Sequence, residues 1–188
     1  MGTFGCYAQL GCIRKFRVQY AKGLDELQIP SMSIGLFEMT FSIRELGPND
    51  LAMAQQLFGM WRQEDNVTKP PPSCETLVRL LSRPDFHTVA ALREDEAIGG
   101  LTAYELEMYT EAATELFVYE VGVAAAHRRQ GVGRALIEFA RNLCRSRSLS
   151  ALYIPAMADD ARAVAFYQAT GLKREDVAWF VQEFEDNL

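Results

Sequence analysis

The 188-residue chain has only two histidines, His87 and His127, and four cysteines, Cys6, Cys12, Cys74 and Cys144, none of them in a Cys-x-x-Cys pair. So few imidazole and thiol ligands, without paired spacing, predict no metal site, reduced thiols and a cytoplasmic protein. No apolar run approaches the roughly 18 residues that a membrane span needs, so no membrane partner is expected. The first residues lack a secretory apolar core, and the cysteine at position 6 breaks the N-myristoylation pattern. A surplus of positive charge is missing too: 19 Lys and Arg against 25 Asp and Glu give −6. That argues against nucleic acid as a general partner and leaves room only for a local basic patch. Internal repeats are absent. No Ser, Cys or His sits in a recognisable nucleophile signature, so a covalent acyl-enzyme is not expected.

What is present is a chain of one-domain length, 49% apolar, able to bury a sizeable core. Its first 40 residues differ from the rest. Four basic and three acidic residues make segment 1–40 net +1, whereas 15 basic and 22 acidic residues make 41–188 net −7. Pro30 and Ser31 read as a break, and we read 1–40 as an extension appended to a domain at 41–188.

Within that domain the expected order is a strand at Phe41–Glu45, a turn Gly47–Asp50 with Asn49 or Asp50 as helix cap, and a helix Leu51–Arg62. A polar loop ending in Pro70-Pro71-Pro72 follows, then a short helix Ser73–Ser82 stopped before Pro84. Phe86–Arg93 and Ala97–Met108 read as a hairpin, and Ala151–Ala156 and Val177–Phe184 as later strands. Asp159–Thr170 reads as a helix capped by Asp159 or Asp160 and closed by Gly171. Strands and helices alternating with hairpins predict an α/β fold whose central sheet is mixed and mostly antiparallel, flanked by helices.

The most informative stretch is 116–145, LFVYEVGVAAAHRRQGVGRALIEFARNLCR. Strict alternation along the strand Leu116–Val123 makes one face Phe117, Tyr119, Val121, Val123 and the other Leu116, Val118, Glu120, Gly122. Both faces are apolar except for Glu120, as in a strand covered on both sides. A lone carboxylate there is costly unless partnered, and Gly122 suits a bulge or the close approach of a ligand. After Gly131, Leu136, Phe139, Ala140, Leu143 and Cys144 fall on one face of a helix, with Arg134, Glu138, Arg141 and Arg145 opposite. The intervening Arg128-Arg129-Gln130-Gly131-Val132-Gly133 places two glycines and two arginines at a helix start. That combination suits an anion, because turned backbone N–H groups, the helix N-terminus and guanidinium groups all favour phosphate. It is neither a Walker A loop, which needs Gly-Lys-Ser/Thr, nor a dinucleotide fingerprint, which fails at Leu136.

Arg128-x-x-Gly131-x-Gly133 resembles the Arg/Gln-x-x-Gly-x-Gly/Ala motif of the GNAT superfamily of acetyl-CoA-dependent N-acetyltransferases. The longer string 99–137, with Gly-Gly-Leu-Thr-Ala-Tyr-Glu-Leu before the acidic strand and Ala-His-Arg-Arg-Gln-Gly in the turn, resembles type I aminoglycoside 3-N-acetyltransferases, and the likeness runs from about Phe41 to Phe180. This resemblance implies central strands that splay apart, acetyl-CoA as acetyl donor, and an aminoglycoside or similar polyamine-like substrate. It also implies the helices of 51–82 as one wall of the acceptor cleft, and a homodimer. It assigns the thioester and pantetheine to the backbone of Val121, Gly122 and Val123. The pyrophosphate falls to Arg128, Arg129, Gln130, Gly131, Val132, Gly133, Arg134 and Ala135, with Phe166 nearby.

Acetylating an amine requires a neutral amine, donors for the developing oxyanion, a proton for the leaving thiolate and two substrates held in contact. Glu120 is the candidate for the amine. An apolar strand should raise its pKa toward neutrality, and the related family carries an acidic residue at this strand position, Asp rather than Glu. The alternative is a structural carboxylate bonded to a neighbouring loop. Tyr167, in Ala-Phe-Tyr-Gln-Ala-Thr-Gly, resembles the superfamily's Phe-Tyr-x-x-x-Gly element, whose tyrosine protonates the thiolate; a phenol is protonated at pH 7 and can donate. Its alternative is core packing. Glu105, Asp159, Asp160, Glu175 and Asp176 are candidate ligands for a polycationic acceptor, with helix capping and turn roles as alternatives. His127 and His87 read as structural, Trp61 and Trp179 as core. The six arginines and single glutamate of 128–147 against acidic segments elsewhere suit two unlike substrates. Beside the aminoglycoside reading stand an acetyltransferase for another amine, such as a polyamine or peptide, and a non-catalytic acetyl-CoA-binding protein.

Overall fold

A computed structural model describes residues 41–182. The extension 1–40 and the last residues of the expected strand Val177–Phe184 lie outside the described residues. The elements are β1 (Ser42–Leu46), α1 (Leu51–Glu64), α2 (Cys74–Leu81), β2 (Phe86–Arg93), β3 (Glu96–Glu107), β4 (Thr114–Val123), α3 (Val132–Ser146), β5 (Ala151–Tyr153) and α4 (Ala161–Ala169). The strands form one sheet in the order β1-β2-β3-β4-β5. β1 to β4 are successive antiparallel neighbours, and β5 joins β4 in parallel after the α3 crossover.

Two apolar layers cover the sheet. On one side α3 presents Val132, Leu136, Phe139, Ala140 and Leu143 to Ile43, Val89, Ala91, Leu101, Ala103, Leu116 and Val118. On the other, Ala54, Leu57 and Trp61 of α1 and Leu81 of α2 meet Leu46, Ala90, Leu92 and Ala97. Trp61 is therefore core, as its sequence context suggests. The helix ends follow local rules: Ser73 caps α2 by accepting the Thr76 N–H at 3.2 Å. Gly171, at φ +86°, closes α4 with the paired bonds Gly171 N–H to Gln168 O (2.9 Å) and Leu172 N–H to Tyr167 O (3.2 Å).

Two expectations are corrected. The segment after α4 does not form a strand over its described part: Val177–Gln182 is irregular and exposed, with Phe180 at 92% and Trp179 at 55%, so Trp179 is not core. Apolar strand-forming residues make a strand only where an edge is there to pair with, and β5 is just three residues long. The second correction concerns β4. Its register with β3 slips between Thr102 and Ala103: Val118 opposes Ala103 while Glu120 opposes Thr102, which leaves Tyr119 as an extra residue. The bulge inverts the alternation. Leu116 and Val118 pack on the α3 core before it, Val121 and Val123 after it. Glu120 and Gly122 therefore share the α1 face of the sheet, not the face of Leu116 and Val118. Nor is β4 covered on both sides throughout, since Tyr119 is exposed.

Candidate active site

β4 and β5 pair only over Glu115–Phe117 and Ala151–Tyr153. Beyond that the strands part, and a cavity opens between them. It is lined by Val121, Gly122 and Val123 of β4, Pro155 and Ala156 after β5, Asp160, Ala163 and Tyr167 of the α4 region, and Glu64 and Arg128. Backbone amides of a strand without a neighbour on that side, a phenol and a carboxylate thus meet in one cleft. Tyr167 is held there from two directions: its ring lies 5.2 Å from that of Phe166, and its carbonyl accepts the bond that closes α4.

The arginine turn adjoins this cleft. Arg129 at φ +63° and Gly131 at φ +86° are both left-handed, and Gly131 caps α3. Left-handed residues in such a turn swing successive N–H groups toward a common concavity that attracts anions. A side chain on Gly133 would meet the Phe166 ring at 3.1 Å, so this glycine lets α4 lie against the first turn of α3. The turn is braced by Gln130, whose side chain donates to Ala126 O and accepts from Arg93, both at 3.0 Å. Arg134 reaches the Ala169 carbonyl at 3.4 Å, and Val132 and Ala135 belong to the first turn of α3. Arg128 is engaged within the protein: its Nε donates to Val123 O at 2.8 Å and its Nη2 to the Glu64 carboxylate. The exposed Arg129 is the more available cation for phosphate.

The candidate acceptor carboxylates separate. Asp160 lines the cleft and caps α4, accepting the N–H groups of Arg162 and Ala163 at 3.1 and 3.0 Å; Asp159 is exposed one residue earlier. Glu120 lies two residues from Gly122 on the α1 face, half-buried, but not on the cleft wall. Glu175 and Asp176 are exposed and paired to Lys173 and Arg174 at 3.1 and 2.8 Å. Glu105 lies away from the cleft, near the other end of the β3–β4 ladder. Its carboxylate takes His87 Nε2 at 3.0 Å and Arg147 at 2.9 Å, while His87 Nδ1 faces Glu45 at 3.1 Å. Burial holds the Glu105 carboxyl above its ordinary range, outweighing the pull of Arg147. His87, expected as strand packing, is the buried centre of this network. His127 sits in a half-buried turn.

Glu64 went unnoticed in the sequence. One signal was available: a carboxylate as the last residue of a helix opposes the helix dipole and asks for a partner elsewhere. Gly122 is also reinterpreted. A Cβ there would lie 2.5 Å from the Trp61 indole Nε1, so a tryptophan makes the close approach on the α1 side, and the bulge lies three residues earlier. Among the described residues no group of three or more His, Cys, Asp or Glu could hold a metal, and no helix is long and apolar enough to cross a membrane.

Residues 53–172 match the Acetyltransferase (GNAT) family. The chain belongs to this family of acetyltransferases. Among solved structures, an aminoglycoside acetyltransferase, meta-AAC0020, from an uncultured soil metagenomic sample superposes on the acetyltransferase with a TM-score of 0.74. It is 28% identical, over 77% of this chain and 97% of that one, and has been crystallised with trehalose and with sisomicin. A second soil metagenomic aminoglycoside acetyltransferase, HMB0005, is 30% identical over 78% of this chain and all of its own, with a TM-score of 0.71. The uncharacterised protein YxbD of Bacillus subtilis (strain 168) is 30% identical over 82 residues, and the match spans about half (47%) of its length. The fold is shared more widely, for example with a ribosomal-protein-alanine N-acetyltransferase from Brucella melitensis at 19% identity and a TM-score of 0.64.

Proposed function

We propose that this acetyltransferase moves the acetyl group of acetyl-CoA directly to an amine of an aminoglycoside, most simply the 3-amino group, and so confers resistance. The observation that carries the reading is the cleft at the β4–β5 split, where the Val121–Val123 backbone, Asp160 and Tyr167 converge beside the arginine turn. Residues 128–135 fit a phosphate group: left-handed backbone at 129 and 131, the α3 N-terminus and the cations of Arg129 and Arg134 all favour it. In this reading the β4 backbone donors hold the thioester carbonyl and Tyr167 protonates the departing thiolate. Glu120 receives the acceptor's ammonium or its proton. Asp160 contributes a charge on the acceptor side. The two metagenomic aminoglycoside acetyltransferases at 28–30% identity support the acceptor class, and the 3-amino choice rests on the sequence resemblance of 99–137.

A second reading has a specific observation behind it. Glu105 lies away from the cleft and Glu175 and Asp176 are engaged with neighbouring cations. Fewer cleft carboxylates suit a smaller amine, such as a short polyamine. Free-thiol release from acetyl-CoA across gentamicin-, kanamycin- and neomycin-type drugs, polyamines and peptides tests both. Turnover with at least one aminoglycoside, and product mapping to the 3-amino group, is expected. Turnover with polyamines alone would replace the first reading by the second. Acetyl-CoA binding without turnover of any amine would point to the non-catalytic alternative.

A further inference from the structure

Two contacts join the end of α1 to the far half of β4. Trp61 lies against Gly122 so closely that no larger residue fits between them. Three residues on, and so on the same side of the helix, Glu64 reaches past the strand. Its Oε1 accepts the Ala125 N–H at 3.0 Å and its Oε2 accepts the Arg128 guanidinium, whose Nε in turn holds the Val123 carbonyl at 2.8 Å. These bonds cross more than 60 positions of sequence. They also come at a cost to α1, whose negative end is made more negative by a terminal carboxylate. They grip residues 122–128, the part of β4 and its turn that has left β5.

We propose that Glu64 is a positioning residue: acting through Arg128 and Ala125, it holds the end of β4 toward α1 and keeps the β4–β5 split open for the acyl-thioester arm of the cofactor. The inference rests on the acetyl-CoA reading above. It assigns Arg128 to the clamp and leaves the phosphates to the turn's backbone, Arg129 and Arg134. The split is thus maintained from α1, through the first residue of the glycine-arginine motif.

The test uses the full chain as wild type, Glu64→Ala and Glu64→Gln. Hydrogen exchange of the amides of residues 122–126 is measured without ligand. Affinities are measured for acetyl-CoA and for adenosine 3′,5′-bisphosphate, which carries phosphates but no thioester arm. In Glu64→Ala the Ala125 amide should exchange at least about tenfold faster. Acetyl-CoA should bind about tenfold more weakly, the effect of one charge-assisted hydrogen bond. The bisphosphate should bind as to wild type, and Glu64→Gln, which keeps an acceptor for Ala125, should fall between. Unchanged exchange would sink the clamp. Acetyl-CoA affinity that is unchanged, or tighter because Arg128 is released to phosphate, would show that the clamp does not serve the cofactor. Equal losses for both ligands would mean general destabilisation and equally overturn the proposal. Failure of the wild type to bind acetyl-CoA would instead overturn the cofactor reading, while the exchange result would still decide the clamp.

Discussion

The buried His87 network makes a prediction with a workable magnitude. Both ring nitrogens face carboxylate oxygens, at 3.1 Å to Glu45 and 3.0 Å to Glu105, and Arg147 shares the Glu105 oxygen at 2.9 Å. His87→Leu keeps roughly the volume and removes both of these contacts, taking the His87 ring from Glu45, whose Oε2 already has no hydrogen bond. Breaking a buried pair costs about 3–5 kcal/mol. We therefore expect His87→Leu to lose about 3–5 kcal/mol at pH 7 in urea denaturation. Glu105→Gln supplies the sign check. A carboxyl whose folded pKa lies above its ordinary 4.5 keeps a proton that the unfolded chain has already lost. Its contribution to stability is therefore greatest at low pH and falls as pH rises through the folded value. Glu105→Gln should accordingly gain on wild type between pH 4.5 and 7. A His87→Leu loss under about 1 kcal/mol would refute the buried pairing. Wild type gaining on Glu105→Gln would show that the ion pairs, not burial, control Glu105.

Four further outcomes are expected. Tyr167→Phe should lower kcat by about 10²–10⁴-fold with acetyl-CoA affinity retained, measured by thiol release; unchanged kcat would remove the acid role. Glu120→Gln should lower kcat/KM for aminoglycosides and leave acetyl-CoA binding nearly intact, whereas equal losses in both would mark a structural carboxylate. Gly122→Ala should destabilise by about 1–3 kcal/mol, because its Cβ would press on the Trp61 indole; thermal unfolding reads this, and a neutral result would mean that α1 can move away freely. Burial pushes the Cys144 thiol up to about 11, so at pH 8 peptide-mapped alkylation should modify it about 100-fold or more slowly than the exposed Cys74.

Most of the fold was legible because the local rules agree with one another. Amphipathic spacing in 132–146, Gly171 as a helix stop and the hairpin within 86–108 each point to the element that forms. What was lost depends on pairing that no local window contains. The Val177–Gln182 segment has strand-forming residues, but the neighbouring edge strand β5 is only three residues long. Of the site, the arginine turn, the β4 backbone, Asp160 and Tyr167 were readable as motif positions, and the structure brings four of these neighbourhoods to one cleft. Glu105 is set in its network by partners from β2 and from beyond α3, 18 and 42 residues away, which no local window shows.

The bulge at Tyr119 shows why a periodicity argument can find the right residue and put it on the wrong face. Strict alternation groups Glu120 with Leu116 and Val118, in the middle of the α3 core, where a carboxylate is hard to justify. One inserted residue moves Glu120 and Gly122 to the side of Trp61 and leaves Val121 and Val123 to continue the core. The anomaly of a charge in an apolar strand was thus a sign that the period breaks there. The same insertion directs Gly122 toward α1, which lets Trp61 and Glu64 take hold of the strand beyond the stretch where β5 pairs with it. An uninterrupted β4 would instead offer the valine side chains to α1 and the glycine to α3, and α1 could not approach closely enough to grip the strand's end.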